Sequence, residues 1–206
     1  MPIRAVIFDL GGVVVGSPLH AIAAYERELG LAGGSVNRVV VASGPAGAWS
    51  RLERGELELE PFYPAFEADC AAAGFRIDAR AMMGRIAAVT GPRADMLEAI
   101  RRLRGGGLKV AALTNNWVTA DEGTRILAPH FDVFVESAVV GLRKPDPRIF
   151  AHTCGALGVP PGHTAFLDDI GLNLKAARAL GMTTIKVDEP GEALDRLGAL
   201  VGLALR

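Results

Sequence analysis

The stretch from Ala5 to Val14, AVIFDLGGVV, constrains the fold more than any other part of the chain. A short run that is almost entirely apolar is typical of a strand buried on both faces, as at the centre of a parallel sheet. Asp9 interrupts this run, and burying an unpaired carboxylate is costly or shifts its pKa. Asp9 therefore either begins a solvated turn with Gly11 and Gly12 or lies in the crevice at the strand ends, where open α/β sheets bind ligands.

Strand patterns and helical patterns alternate in the second half of the chain. An amphipathic helix is predicted over residues 92–104, and four further strands are predicted at LKVAALTNN, FDVFVES (131–137), HTAFLDD and TTIKV. Strands that alternate with helices at this spacing form parallel βαβ units with right-handed crossovers. The sequence therefore predicts an α/β fold, with a Rossmann-like three-layer core around a parallel sheet.

The long segment between the first strand and the helix at residue 92 has a different pattern. It contains several helical stretches separated by glycines, and it shows no extended β alternation. Because the segment is far too long for a loop, we predict a small helical cap inserted after the first strand. The expected division is an α/β core formed by residues 1–15 and 91–206, with the cap at residues 16–90.

Polar side chains follow the predicted strands, at the points where these strands end. They are Asp9, Thr114, Asn115, Lys144, Asp168 and Asp169. Each has an ordinary explanation in turn or helix-cap chemistry. The carboxyl ends of parallel strands, however, meet at one edge of the sheet. We therefore predict a single site that combines carboxylates, a hydroxyl group and an ammonium group.

This set of groups suits the transfer of a phosphoryl group. Carboxylates from two strands can hold Mg²⁺, which screens charge as a carboxylate approaches an anionic phosphate. A hydroxyl, backbone N–H groups and a lysine can then hold the non-bridging oxygens. Asp9 would attack phosphorus and form an aspartyl-phosphate that water hydrolyses. The residues thus favour a Mg²⁺-dependent hydrolase of small phosphomonoesters.

These residues lie in four motifs, which occur in the order FDLGG, LTNN, the lysine of RKPDP, and FLDD. In this order and spacing they resemble the motifs of the haloacid dehalogenase superfamily of hydrolases. Within the superfamily, the chain is similar to the N-terminal phosphatase domain of soluble epoxide hydrolase and to the related domain of acyl-CoA dehydrogenase family member 10. The resemblance does not extend to the domain that opens epoxides, so we do not carry that activity over.

The resemblance implies how a metal ion would be bound. Asp9 would be both the nucleophile and a metal ligand, and the backbone carbonyl of Gly11 and the side chain of Asp169 would be further ligands. Asp168 would order metal-bound water. Asn173 would brace the lysine and the metal loop.

The resemblance also implies how the phosphoryl group would be bound. Thr114 and Asn115 would bind the phosphoryl oxygens, and Lys144 would neutralise charge on Asp9 and on the phosphate. The helical cap would close over the site and shape its specificity.

Gly11 departs from the family pattern. Superfamily phosphatases usually carry an aspartate two residues after the nucleophile, as general acid and base, and losing such a group typically costs about 10²–10⁴-fold in rate. Two alternatives therefore stay open. One is a binding or scaffold domain with attenuated catalysis, and the other is a 2-haloacid dehalogenase. The pair Asp168 and Asp169 counts against a dehalogenase, because adjacent carboxylates suit a divalent cation better than a carboxylate substrate.

Composition narrows the choice of partners and compartment. The formal net charge is −1, which argues against a general binder of nucleic acid or of anionic membranes. The sequence contains neither an apolar run long enough to span a membrane nor a signal-peptide layout. Cys70 and Cys154 lie far apart and are expected to be buried thiols in a reducing compartment. We expect a cytoplasmic protein that acts on a small phosphorylated molecule, of unspecified identity and with an undetermined oligomeric state.

Overall fold

A five-stranded parallel sheet forms the centre of the computed structural model, which describes residues 2–89, 91–119 and 123–206. Its strands are β1 (Ala5–Phe8), β2 (Lys109–Thr114), β3 (Val133–Glu136), β4 (Thr164–Asp168) and β5 (Thr183–Lys186). They are arranged in the order β3-β2-β1-β4-β5, and each neighbouring pair is parallel. β1 is the central strand and is fully buried, as its apolar sequence predicts.

Helices precede, separate and follow these strands. In the described residues the α-helices are α1 (Pro18–Glu28), α2 (Ser35–Ser43), α3 (Ala48–Glu53), α4 (Leu59–Ala72), α5 (Ala79–Ala88), α6 (Ala94–Gly105), α7 (Ser137–Val140), α8 (Pro147–Leu157), α9 (Gly171–Ala179) and α10 (Pro190–Val201). Short 3-10 helices cover Gly44–Ala46, Gly123–His130 and Pro161–His163.

The two faces of the sheet are covered by different helices. Val6 and Phe8 of β1 belong to a hydrophobic cluster with α6 and α10, whereas Ala5 and Ile7 belong to a cluster with α8 and α9. Successive side chains of a strand point to opposite faces, so an uninterrupted apolar strand supplies both clusters. The predicted α/β fold, with a Rossmann-like three-layer core and a parallel sheet, is confirmed.

The helices α1 to α5, which we call the cap helices, lie between β1 and α6 in the chain. They share a hydrophobic cluster of their own. At its centre the rings of Phe62 and Phe66 stack with their centroids 5.3 Å apart, and Trp49 packs against both rings. The chain enters and leaves this segment side by side, since Val15 and Pro92 form an antiparallel bridge. The exact division at residues 16 and 90 stays a prediction, and residue 90 lies outside the described residues.

Both cysteines are free and buried, as predicted. Cys70 lies in the cluster of the cap helices, where burial raises the pKa of its thiol to about 12. Cys154 lies in α8 and packs in the cluster between this helix and the sheet. Across the parts of the chain that the structure describes, we find no helix with the length and apolar character needed to cross a membrane.

Candidate active site

The sheet brings most of the predicted site residues to one cavity at the carboxyl ends of its strands. Asp9 directly follows β1, Asp168 ends β4 and is followed by Asp169, and Lys144 lies between α7 and α8. The cavity has a volume of about 620 Å³, and the predicted residues that line it are Asp9, Gly11, Asn115, Lys144, Asp169 and Asn173. Thr114, at the end of β2, is buried, and its hydroxyl donates to the backbone oxygen of Asn115 at 3.4 Å.

Lys144 joins two of the carboxylates. Its Nζ lies 2.7 Å from Oδ1 of Asp9 and 2.9 Å from Oδ2 of Asp168, and the residue is 1% exposed. Burial by itself would lower the pKa of Lys144, but the charges of Asp168 and Asp9 raise it above its ordinary value. Lys144 is therefore an ammonium group that holds the proposed nucleophile in place.

The site brings three carboxylates near the ammonium group of Lys144. Asp9, Asp168 and Asp169 offer oxygens that all lie within 4.8 Å of one another. Burial raises the pKa of Asp9 well above its ordinary value, with Lys144 opposing the shift. Burial, together with the charge of Asp168, raises the pKa of Asp169 to about 6. Hard oxygen ligands with excess negative charge form a donor set that fits Mg²⁺.

The turn after Asp9 packs directly against Asp169. Gly12 has a φ of +79°, and a Cβ at this position would lie 2.2 Å from Oδ2 of Asp169. Only glycine allows the backbone to approach the carboxylate this closely in the left-handed conformation. The glycine therefore lets the turn after Asp9 pack against the Asp169 carboxylate without displacing it. The backbone carbonyl of Gly11 as a further ligand stays a prediction.

Asp168 is fully buried, and both of its oxygens have partners. The Asn173 side-chain amide donates to both oxygens, at 3.1 and 3.0 Å, and the backbone N–H of Ile170 donates to Oδ1 at 2.7 Å. With Lys144 on Oδ2, the carboxylate serves as the anchor of the lysine. Asn173 thus acts on Lys144 through Asp168. The ordering of metal-bound water by Asp168 stays a prediction.

Asn115 holds the loop that carries the lysine. Its Nδ2 donates to the backbone oxygen of Lys144 at 3.0 Å, and its Oδ1 accepts from the backbone N–H of Lys144 at 2.8 Å. A phosphoryl oxygen that accepts from this side chain would compete with the hydrogen bonds that Nδ2 donates to Lys144 at 3.0 Å and to Oε2 of Glu53 at 3.4 Å. Binding of a phosphoryl oxygen by Asn115 stays a prediction.

Sequence reasoning missed two charged residues in the wall of the cavity, Glu53 and Arg143. Glu53 is buried at the end of α3, and its Oε2 lies 2.5 Å from Nε of Arg143. Burial raises the pKa of Glu53, while the charge of Arg143 opposes the shift. One signal was available in the sequence, because Glu53 follows the apolar Trp49 by four residues on the same helical face. A carboxylate on a buried face requires a partner.

Comparison with known protein families identifies the family of this chain. Residues 3–181 match the family model described as haloacid dehalogenase-like hydrolase. The chain belongs to this family of hydrolases. The resemblance inferred from the four motifs is thereby confirmed.

Two curated relatives match nearly the whole chain. Acyl-CoA dehydrogenase family member 10 of Mus musculus is 38% identical over 98% of this chain, and bifunctional epoxide hydrolase 2 of Sus scrofa is 34% identical over 100% of it. The chain spans 19% and 40% of the length of these two relatives. The likeness therefore concerns one part of each larger protein.

A shorter relative and a solved structure match over nearly their full lengths. Sesquiterpene phosphatase astK of Aspergillus oryzae is 27% identical, over 97% of both chains. A haloacid dehalogenase family enzyme of Bacteroides thetaiotaomicron, solved in complex with magnesium and inorganic phosphate, superposes with a TM-score of 0.64. It is 19% identical, covering 95% of this chain and 98% of the other. At this identity the structural likeness establishes the shared fold.

Proposed function

We propose that this hydrolase cleaves phosphomonoesters in a Mg²⁺-dependent reaction through an aspartyl-phosphate on Asp9. The observation that carries the proposal is the arrangement of Asp9, which is held by Lys144 at 2.7 Å and lies beside two further carboxylates at the sheet edge. A buried carboxylate next to an ammonium and a cation site is suited to approach an anionic phosphate. The magnesium–phosphate complex of the Bacteroides enzyme supports the choice of ligand chemistry.

Each residue has a defined task in this reaction. An oxygen of Asp9 attacks phosphorus while the P–O bond to the substrate breaks, and the leaving alkoxide takes its proton from solvent water. A water molecule then attacks phosphorus, which releases inorganic phosphate and a proton and restores the Asp9 carboxylate. Lys144 neutralises charge on Asp9 and on the transferred group. Asp9, the Gly11 carbonyl and Asp169 would hold Mg²⁺, which supplies further charge neutralisation when it is bound. The Thr114 hydroxyl would hold a phosphoryl oxygen.

The cavity favours substrates whose alcohol carries an apolar group. Beyond the carboxylates, the side chains that contribute to the wall from the cap helices and from the segment after β2 include Ile22, Val36, Val40, Trp49 and Trp117. Burying an apolar substituent against such a wall gains about 25 cal/mol per Å². The phosphatase activity named for the Aspergillus relative, on a sesquiterpene, supports the same choice.

Hydrolysis of p-nitrophenyl phosphate, measured with Mg²⁺ and with excess EDTA, tests the proposed reaction. We expect turnover that requires Mg²⁺ and that Asp9→Asn abolishes while the circular dichroism spectrum is unchanged. Equal turnover by wild type and Asp9→Asn would end the assignment of the nucleophile. A series of alkyl phosphates of increasing chain length tests the substrate class, for which we expect KM to fall as the chain lengthens.

A catalytically attenuated domain is the second candidate, and one observation favours it. Gly11 lacks the carboxyl group of the usual general acid, and a Cβ at this position would lie 3.1 Å from Cδ of Pro18 in α1. An aspartate fits here only if Pro18 shifts by a few tenths of an ångström. If the wild type is inactive, Gly11→Asp is expected to create turnover that Gly11→Ala does not. Such a result would favour the attenuated domain over the active phosphatase.

The dehalogenase alternative meets an electrostatic objection. A 2-haloacid carries its own carboxylate, which would enter a site where Asp9, Asp168 and Asp169 already lie within 4.8 Å of one another. Like charges at this distance repel strongly in a buried site. Release of chloride from chloroacetate in the presence of EDTA would revive this alternative.

A further inference from the structure

Glu53 places a buried carboxylate in the wall of a cavity that is proposed to receive an anion. It ends α3, and the residue is 7% exposed. Oε1 accepts a hydrogen bond from Nε1 of Trp49 at 2.9 Å, and Oε2 accepts one from Nε of Arg143 at 2.5 Å. The mechanism proposed above does not use this carboxylate. Its position therefore needs a reason other than binding of the phosphoryl group.

A chain of contacts leads from Glu53 to the lysine of the site. Oε2 of Glu53 also accepts from Nδ2 of Asn115 at 3.4 Å. The same Asn115 side chain accepts from the backbone N–H of Lys144 and donates to its backbone carbonyl. Lys144 directly follows Arg143. Glu53 thus contacts Arg143, which directly precedes Lys144, and Asn115, which holds the backbone of Lys144. The Nζ of Lys144 in turn lies 2.7 Å from Oδ1 of Asp9.

The cap helices contact the α/β core around Glu53. Nη1 of Arg143 donates to Oγ of Ser50 at 3.0 Å, and the rings of Trp49 and Trp117 meet edge to face with their centroids 6.2 Å apart. A Cβ on Gly55, two residues after the end of α3, would lie 2.3 Å from the backbone oxygen of Ala138 in α7. α3 therefore lies directly against the core on this side.

The interface between α3 and the α/β core does not need the Glu53–Arg143 ion pair in order to be stable. Apolar side chains that replace a buried ion pair often hold an interface at least as well, whereas an ion pair fixes direction and register. Trp49 and Trp117 already supply apolar contact at this interface. What the carboxylate of Glu53 adds is the orientation of the Arg143 guanidinium and of the Asn115 amide.

We propose that Glu53 is a positioning residue that couples the seating of the cap helices to the placement of Lys144, an inference that rests on the proposed phosphatase function. With α3 packed against the core, the carboxylate of Glu53 orients the side chains of Arg143 and Asn115. These two residues hold the loop that carries Lys144, so that its Nζ reaches Asp9. Without the carboxylate of Glu53, Arg143 and Asn115 lose a shared partner and the lysine loop relaxes.

The test compares Glu53→Gln with a matched control, Glu26→Gln. Glu26 is also a buried carboxylate of the cap helices, and it accepts from the backbone N–H groups of Gly34 and Val36 at 2.7 Å each. Both variants keep the side-chain shape and lose a buried charge. For p-nitrophenyl phosphate we expect Glu53→Gln to lower kcat by about 10- to 100-fold with little change in KM. Glu26→Gln should lower the melting temperature but leave kcat within about twofold of wild type.

A double-mutant cycle guards against loss of the fold. Arg143→Met together with Glu53→Gln leaves no unpaired charge at this position, so the double variant is expected to fold even if a single variant does not. Because both residues act through the same loop, the double variant should lose no more activity than Glu53→Gln alone. Additive losses would show that the two residues act independently and would overturn the proposal.

A binding measurement distinguishes failure of this inference from failure of the proposed function. If the wild type hydrolyses no phosphomonoester, the proposed function fails, and the positioning role is then measured by calorimetric titration with beryllium fluoride and Mg²⁺. We expect Glu53→Gln to weaken this binding by about tenfold or more and Glu26→Gln to leave it unchanged. The chain has two tryptophans, Trp49 and Trp117, so acrylamide quenching should also increase in Glu53→Gln. Equal kcat and equal binding in the two variants would overturn the proposal.

Discussion

Substitution of Gly12 by alanine provides a sharp test of the metal site. Gly12 has a φ of +79°, and an alanine Cβ would lie 2.2 Å from Oδ2 and 2.7 Å from Cγ of Asp169. Ordinary contact begins near 3.4 Å, so the Asp169 carboxylate has to retreat by about 1 Å. Mg²⁺ demands near-ideal geometry, with ligands at about 2.0–2.1 Å. A retreat of this size removes Asp169 from the ligand set.

Two effects of Gly12→Ala have separate magnitudes. The left-handed backbone costs an alanine about 1–2 kcal/mol, which for a chain of this length lowers the melting temperature by about 2–8 °C. Displacement of the carboxylate comes in addition, and disturbing groups that support metal ligands typically costs about 10–100-fold in metal affinity. We therefore expect Gly12→Ala to bind Mg²⁺ at least about tenfold more weakly than wild type.

Gly74→Ala is the matched control for backbone strain. Gly74 has a φ of +91°, and a Cβ there would have no atom within 4 Å. It lies in the cap segment, after α4, so it shares the strain of Gly12→Ala without the clash. Thermal unfolding should show a loss of stability in both variants, larger in Gly12→Ala because of its clash, and calorimetric titration should show weakened Mg²⁺ binding only in Gly12→Ala. Wild-type affinity in Gly12→Ala would refute the assignment of Asp169 as a ligand.

Three further predictions concern the charges of the site. Lys144→Met leaves the carboxylates of Asp9 and Asp168 without their cation, so denaturant unfolding should show a loss of about 3–5 kcal/mol, and activity should fall below detection. Removal of metal by EDTA should stop turnover and lower the melting temperature of wild type, whereas Asp169→Asn should show a much smaller response of its melting temperature to Mg²⁺. Asn173→Ala removes two hydrogen bonds to Asp168, and we expect a loss of about 1–3 kcal/mol of stability in urea unfolding, with reduced activity.

The fold and the proximity of the strand-end residues could be predicted because they follow from local pattern. The apolar run before Asp9 predicts a strand buried on both faces, and β1 is the central strand. Boundaries were less well predicted. The helix expected from residue 92 begins at Ala94, and the strand expected over residues 131–137 is Val133–Glu136, because Ser137 already belongs to α7.

The roles of two side chains could not be predicted, because their partners are distant in the sequence. Asn115 follows a strand end in a way that suits a phosphate ligand, and only the structure shows its side chain on the backbone of Lys144. Glu53 and Arg143 are separated by 90 positions, and nothing local marks them as a pair. Hydrophobic periodicity predicts which face of a helix is buried, but it does not predict which charge that face meets.

Chemical trapping at Asp9 tests the central proposal most directly. The enzyme is mixed with p-nitrophenyl phosphate and Mg²⁺, quenched with borohydride, which reduces an acyl-phosphate to an alcohol, and digested for peptide mass spectrometry. We predict homoserine in place of aspartate at position 9, and none in a sample without substrate. Release of phosphate from an enzyme whose residue 9 remains unmodified aspartate in every quenched sample would contradict the mechanism.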